Sequence, residues 1–353
     1  MHKHSCTIVE EAPVSDQLMK RFFYGKKVLV TGSRGFIGSA LCSRLRRLGA
    51  FVVGVDLAAA PMGGSTERSF GPEMGEEYQA DCSDQALLAK VLPGVEVVFN
   101  LAGRCGHLES MQDPLGDLAA NLTAPLVVLD ACRRWAPCAH VLYAGTRQIY
   151  GRVQRLPVAE NHPISPLDAN GIHNMAAEQH HLLSSRHFGL SVTVLRLTNT
   201  YGPGMRRGVG GQTFLGEWFQ RALCGEEIVV FGDGTQVRDL NYVEDVVEAF
   251  LSVAKEGRQT AGEVFNLGGR EALPLLELAW KVAEVSGSGG GVRMEPFPAS
   301  LRQIDIGDYQ GDFGKIQRAV GWEPLVGVDA GLRRTWEAMA LELGEGRGGV
   351  HGR

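Results

Sequence analysis

The stretch Lys27-Val-Leu-Val-Thr31 runs directly into Gly32-Ser-Arg-Gly35-Phe36-Ile37-Gly38 and then into an apolar periodic segment that ends near Leu48. A β-branched run, a Gly-rich turn and a 3.6-period pattern read as strand, tight turn and helix. Glycines at these spacings let the backbone turn sharply and let a pyrophosphate approach the free N–H groups that open the helix. The next β-type run, Phe51 to Asp56, completes a βαβ unit and ends on an acid. Such an acid accepts hydrogen bonds from an adenosine ribose and repels a 2′-phosphate, which favours NAD over NADP. A dinucleotide site is therefore expected, with Gly32, Gly35, Phe36, Ile37, Gly38 and Asp56 among its residues.

Outward from this unit, β-type runs recur at Val95–Leu101, Val141–Ala144 and Ser191–Arg196, with helical patterns over Ile37–Leu48, Asn121–Trp135 and Gly171–Phe188. Alternation of this kind predicts an α/β fold, a Rossmann-type doubly wound parallel sheet with a smaller α+β C-terminal substrate-binding lobe. The expected division is an N-terminal extension (1–26), an NAD-binding domain (27–190 plus 238–268), the lobe (191–237 plus 269–340) and a flexible tail (341–353). The Ser286–Gly291 run reads as a loop.

The 353 residues are 44% apolar and 21% charged, which excludes disordered and fibrous classes. A net charge of -5 lacks the basic field of nucleic-acid binding. No stretch reads as 18 successive apolar residues, so no membrane partner is expected. Met1 to Lys20 has no apolar signal-peptide core, and the 7 cysteines form no C-x-x-C pair; both point to a reduced, cytoplasmic chain.

The G-x-x-G-x-x-G spacing, with Phe36-Ile37 inside it, resembles the extended short-chain dehydrogenase/reductase family, and the similarity continues to about Pro324. Asp81-Cys82 resembles the family's adenine contact, and Asn100-Leu101-Ala102-Gly103 its H-L-A-A segment beside the nicotinamide ribose. Tyr143 to Gly151 is similar to Y-A-S-S-x-x-V-Y-G, which puts Thr146 at the catalytic Ser/Thr. Leu197 to Pro203 resembles R-x-x-N-x-Y-G-P, whose Asn, here Asn199, meets the substrate's phosphates. Val237-Arg238-Asp239 through Asp245 is similar to R-D-x-x-Y-V-D-D, and Arg302 to Asp305 to a later R-x-x-D. The resemblance implies a nucleoside-diphosphate sugar as substrate. A diphosphate calls for charge-assisted donors, which makes Arg238 and Arg302 its candidate ligands, with Arg206 and Arg207 weaker ones.

One family motif is broken. Redox members carry Y-x-x-x-K on the helix after the fourth strand, the Tyr as acid/base and the Lys lowering its pKa. Aligning Pro166 to Glu178 on that segment, anchored by Ala176-Ala177-Glu178, puts Asn170 at the Tyr and Asn174 at the Lys. Neutral amides do not shuttle protons near pH 7. Tyr143 and Tyr150 are the nearest stand-ins, although packing is the plainer reading of each. His173, one helical turn after Asn170, is a further acid or base candidate, although a helix-surface histidine is the plainer reading.

Binding elements without the redox pair point first to a non-redox, metal-assisted pyranose/furanose mutase acting on a GDP- or UDP-hexose, with NAD as a structural ligand. His107, Glu109, Asp113 and the His180-His181 pair are conceivable metal ligands with no diagnostic spacing, and Asp113 before Pro114 also reads as a helix cap. The alternatives are an NAD-dependent 4-epimerase or 4,6-dehydratase with a relocated base, and a non-catalytic nucleotide-sugar or NAD-binding protein. A homodimer through the 121–135 and 171–188 helices is expected.

Overall fold

The computed structural model describes residues 14–59, 74–207, 213–287 and 289–348. The helices are α1 (Val14–Phe23), α2 (Phe36–Arg47), α3 (Gln85–Val91), α4 (His107–Gln112), α5 (Pro114–Leu118), α6 (Ala124–Trp135), α7 (Ala169–Phe188), α8 (Phe214–Leu223), α9 (Val243–Glu256), α10 (Leu275–Ser286), α11 (Ala299–Arg302), α12 (Gly314–Val320) and α13 (Val328–Gly348). The strands are β1 (Lys27–Thr31), β2 (Phe51–Asp56), β3 (Gly75–Gln79), β4 (Val97–Asn100), β5 (His140–Thr146), β6 (Ser191–Leu197), β7 (Asn199–Tyr201), β8 (Ile228–Phe231), β9 (Val237–Tyr242), β10 (Val264–Asn266), β11 (Ala272–Pro274) and β12 (Val292–Glu295).

Seven strands form one parallel sheet in the order β10-β6-β5-β4-β1-β2-β3. The strand order reverses between β1 and β4, so the crevice at their carboxyl ends is the expected ligand position in a sheet of this kind. Strands such as Phe51-Val-Val-Gly-Val-Asp56 are near-continuous apolar runs because both faces are covered. α2 and α9 pack Leu41, Leu45, Val246 and Phe250 on one face, while α3 and α6 pack Leu88, Val128 and Cys132 on the other. A second core, around Phe219, Leu240, Leu278 and Leu332, joins α8, α10 and α13 to the smaller sheets β11-β9-β7 and β12-β8.

The expected domain division changes in four places. β6 lies between β5 and β10 in the main sheet, so the first domain extends past residue 190; its β-branched run Ser191-Val-Thr-Val-Leu-Arg-Leu197 is buried on both faces. β9 pairs with β7 and β11 in the lobe rather than with the main sheet. Residues of the N-terminal extension are part of the fold, because Met19 and Phe23 of α1 are buried in the first core. The tail is helical to Gly348 as part of α13. Residues 1–13, 208–212 and 349–353 lie outside the described ones.

A further correction concerns 114–135, which is one helical stretch long and apolar enough by length and composition to cross a membrane. Its sheet-facing side, with Val128, Leu129, Ala131 and Cys132, is buried in the core. Five residues in its middle, Ala119–Thr123, form a π-helical turn just before Pro125, whose ring nitrogen cannot donate.

Candidate functional site

The turn after β1 is built as the dinucleotide reading requires. Gly32 has φ +70°, and a Cβ there would stand 3.1 Å from the Ala102 backbone. A Cβ on Gly38 would stand 2.0 Å from the Gly32 carbonyl oxygen, so α2 is seated on the turn as only glycine permits. Gly35 caps α2 without a side-chain hydrogen bond, which leaves the N–H groups at Phe36 and Ile37 to the crevice. Asp56 ends β2 with one oxygen accepting from the Arg34 N–H (2.9 Å) and the other from the Ala58 N–H (2.8 Å). Each oxygen keeps a lone pair for a ribose hydroxyl.

Leu101 and Ala102 are held by the Thr31 hydroxyl, which accepts from both their N–H groups (3.1 and 3.2 Å) and donates to Asn100 (3.0 Å). Gly103 lies against Asn121, where a Cβ would stand 2.6 Å from the amide oxygen. Asn121 sits in the π-helical turn and bonds both the N–H (2.9 Å) and the carbonyl (3.1 Å) of Arg104. Asp81 accepts from the N–H and hydroxyl of Ser83, and burial, then the Asp81 charge, push the Cys82 thiol up to about 11. Cys82 is thus an inert apolar contact.

α7 carries Asn170 and Asn174 on a fixed register. Glu178 forms a bidentate, buried ion pair with Arg196 of β6 (2.6 and 2.9 Å), which ties the helix to the sheet. Asn170 donates to the Arg104 carbonyl (2.9 Å) and to Asp117 (3.2 Å); Asn174 donates to the Asn170 carbonyl (2.9 Å) and accepts from the Tyr143 hydroxyl (3.0 Å). Both are buried and hydrogen-bonded through both ends of the amide. The two tyrosine stand-ins are excluded as free phenols. Burial raises both above the ordinary tyrosine range, Tyr143 is bonded to Asn174, and Tyr150 donates to Asn266 (2.7 Å) while accepting from Arg196.

The structure supplies two His–Asp pairs at this corner. His173 is not a surface residue: its side chain is 12% exposed and its Nδ1 lies 2.7 Å from Oδ1 of Asp117, whose other oxygen accepts from Asn121 and Asn170. His107, the first residue of α4, places Nδ1 3.0 Å from Oδ2 of Asp168, the residue that caps α7 by accepting from the Gly171 N–H. Burial raises the Asp168 carboxyl, but the His107 contact, the Gly171 N–H and the Gln148 amide outweigh it and hold the group below the ordinary range. Gln148 also donates its N–H to the Thr146 hydroxyl (3.2 Å), which connects the His107 pair to Thr146 at the end of β5.

The proposed metal ligands do not converge: no group of three or more His, Cys, Asp or Glu is placed to hold an ion among the described residues. Asp113 caps α5 (Gly116 N–H, 3.0 Å) and pairs with Arg104 (2.9 Å). His181 is buried against the Ala177 carbonyl (2.8 Å), while His180 is exposed one helix position away.

Of the substrate candidates, Asn199 and Arg238 come together at the junction of main sheet and lobe, and Arg302 does not. Arg302 is exposed on α11, and among the described residues its side chain reaches only the Phe297 carbonyl (3.5 Å). Its place beside Asn199 is taken by Arg147, which donates to the Asn199 side chain (2.9 Å). The sequence carried a signal for Arg147, a cation directly after Thr146 in an otherwise apolar strand end; Asp117 and Asp168 carried none.

Comparison with known proteins agrees with this geometry. A model of the NAD dependent epimerase/dehydratase family matches residues 28–268. The UDP-glucose 4-epimerase of Mycolicibacterium smegmatis is 28% identical over 315 residues, covering 88% of this chain and 97% of that one. A UDP-glucose 4-epimerase from Thermotoga maritima, solved with UDP-glucose, superposes with a TM-score of 0.79 at 29% identity, covering 90% and 99% of the two chains. An epimerase from Methanothermobacter thermautotrophicus shares the fold with a TM-score of 0.84 at 24% identity over 95% and 98%. With its dinucleotide turn intact and the family pattern matched from β1 to β10, this chain belongs to the NAD dependent epimerase/dehydratase family.

Proposed function

We propose that this protein is an NAD-dependent nucleotide-sugar isomerase of the epimerase type, acting on a UDP- or GDP-hexose, with its proton-transfer group moved from α7 to the His107–Asp168 pair. The observation that carries the reading is this pair at the carboxyl ends of β4 and β5, linked through Gln148 to Thr146, in a crevice whose dinucleotide turn is complete. NAD, held by Gly32–Gly38, Asp56 and the Leu101–Gly103 backbone, supplies the hydride acceptor and donor when bound.

The protein's own part is proton handling. Asp168 accepts only, and the Gln148 amide donates to it as well (3.2 Å), so Nδ1 of His107 presents its proton to Asp168 and Nε2, which has no partner among the described residues, offers the lone pair. Nε2 takes the proton of a sugar hydroxyl and returns it at the end of turnover. Asp168 holds the ring and stabilises the imidazolium, while Thr146 hydrogen-bonds the same hydroxyl. Asn170 and Asn174 fill the usual Tyr and Lys positions as a rigid, neutral support.

A second reading, the pyranose/furanose mutase, is favoured by that neutrality of Asn170 and Asn174. Its metal component has no ligand cluster behind it among the described residues. Proton NMR of UDP-, GDP- and dTDP-hexoses with the protein and NAD tests both: inversion at C4 supports the epimerase, a furanose pattern with retained configuration supports the mutase, and no turnover across the panel leaves a binding protein. A homodimer belongs to the same proposal, because Ile172 and Leu183 expose apolar surface on one side of α7 and Leu115 does so on α5. Light scattering that gives twice the mass of the chain supports it, and a monomer mass contradicts it.

A further inference from the structure

Arg147 leaves β5 directly after Thr146, and its guanidinium carbon lies 5.1 Å from the centre of the Tyr309 ring. One arm is satisfied, with Nη2 donating to Oδ1 of Asn199 at 2.9 Å. The other is not: Nη1 is buried with no hydrogen-bond partner among the described residues, and the buried hydroxyl of Tyr309 likewise has none. An unpaired donor on a buried cation is costly, more so than a neutral one.

Among the described residues, no carboxylate closes an ion pair on Arg147. Asp239 is the first of the charges that act on it, yet its oxygens are taken by the Thr198 hydroxyl (2.5 Å) and the N–H groups of Gly311 (2.9 Å) and Gly269 (3.1 Å). A second guanidinium stands close by. Burial, then repulsion from Arg147, push Arg238 down to about 10 despite its contact with Asp305 at 3.3 Å and a bond to the Gly307 carbonyl. A buried guanidinium with an unmet N–H, standing close enough to a second one to depress it, is the electrostatics of an anion site without its anion.

We propose that Arg147, flanked by Arg238 and Asn199, forms an oxyanion subsite that receives a carboxylate or phosphoryl oxygen of the nucleotide-sugar ligand. The inference rests on the nucleotide-sugar reading and narrows it: the oxyanion accepts from Nη1 of Arg147 and offsets the repulsion between the two arginines. A planar fork with one arm fixed by Asn199 presents the other in a set direction, which a lysine would not do.

Isothermal titration of the full chain with UDP, UDP-glucose and UDP-glucuronic acid, and the matching GDP series, tests the subsite in the wild type, Arg147→Met and Arg147→Lys. Loss of one charge-assisted bond is expected to weaken binding about tenfold to a hundredfold in Arg147→Met, with partial recovery in Arg147→Lys. A loss shared equally by all probes of a series identifies the phosphoryl source, and a loss confined to the glucuronic acid derivative identifies a carboxylate on the sugar; either supports the subsite. Thermal melting without ligand is expected to show Arg147→Met at least as stable as the wild type, because a buried unmet N–H is removed. Unchanged affinity for every probe in a folded Arg147→Met, or in Arg147→Lys where the first does not fold, overturns the subsite alone. A wild type that binds none of the probes overturns the nucleotide-sugar reading and the subsite with it.

Discussion

His107 and Asp168 meet at 3.0 Å across the gap between the start of α4 and the cap of α7, the carboxylate side chain 1% exposed and the imidazole 38%. A buried carboxylate behind a half-open imidazole is the arrangement that fixes a tautomer and leaves one nitrogen for chemistry.

Asp168→Asn is expected to keep the fold and lower activity. Asn caps helices as well as Asp, so the Gly171 N–H bond survives. It removes the charge that stabilises the imidazolium, with an expected fall in kcat of about tenfold to a thousandfold and little change in KM. Steady-state kinetics beside far-UV circular dichroism checks this.

Gly38→Ala is expected to abolish cofactor binding. The new methyl would stand 2.0 Å from the Gly32 carbonyl, and backbone on both sides must shift to admit it. Titration with NAD, followed by protein fluorescence, should show the loss in the variant, while tight NAD binding there would contradict the role given to the turn.

Asn121→Ala is expected to destabilise the protein by about 1–3 kcal/mol, since it leaves the Arg104 N–H without its acceptor and removes one donor from Asp117. Urea denaturation measures it. The same variant should loosen Gly103–Cys105 and weaken NAD binding, which a purely global loss of stability would not do at temperatures far below the melting point.

Stability should fall in mild acid. Burial lowers His140 and His181 from 6.5 to about 4, so both are neutral in the fold and protonate more readily when unfolded. The unfolded state therefore binds more protons between those limits, and stability is full above about pH 6.5 and lost as pH falls toward about 4. Melting temperatures across this range should drop most steeply between pH 6 and 4.5, and His181→Gln should flatten the slope.

Local signals explain what could be read ahead of the structure. The Gly32–Gly38 turn, Asp56 and the β1 and β2 strands are legible because each is specified within one βαβ unit. Asn170 and Asn174 could be picked out because Ala176-Ala177-Glu178 anchors the alignment of this segment, and in space Glu178 ties the same helix to β6 through Arg196. The His–Asp pairs are not legible, since each joins residues on separate elements that only the packing of α4 and α5 on α7 brings together. The position of Arg302 was not legible, because an Arg at a familiar spacing says nothing of where a short exposed helix points it. Domain edges failed where strands exchange between main sheet and lobe, as at β6 and β9.

The most direct test of the account is turnover by His107→Gln of whichever nucleotide hexose the wild type converts, followed by proton NMR with NAD present and substrate affinity measured in parallel. The account predicts wild-type inversion at C4 and a loss in the variant of about a hundredfold to ten-thousandfold with substrate still bound. Wild-type rates in His107→Gln would contradict it.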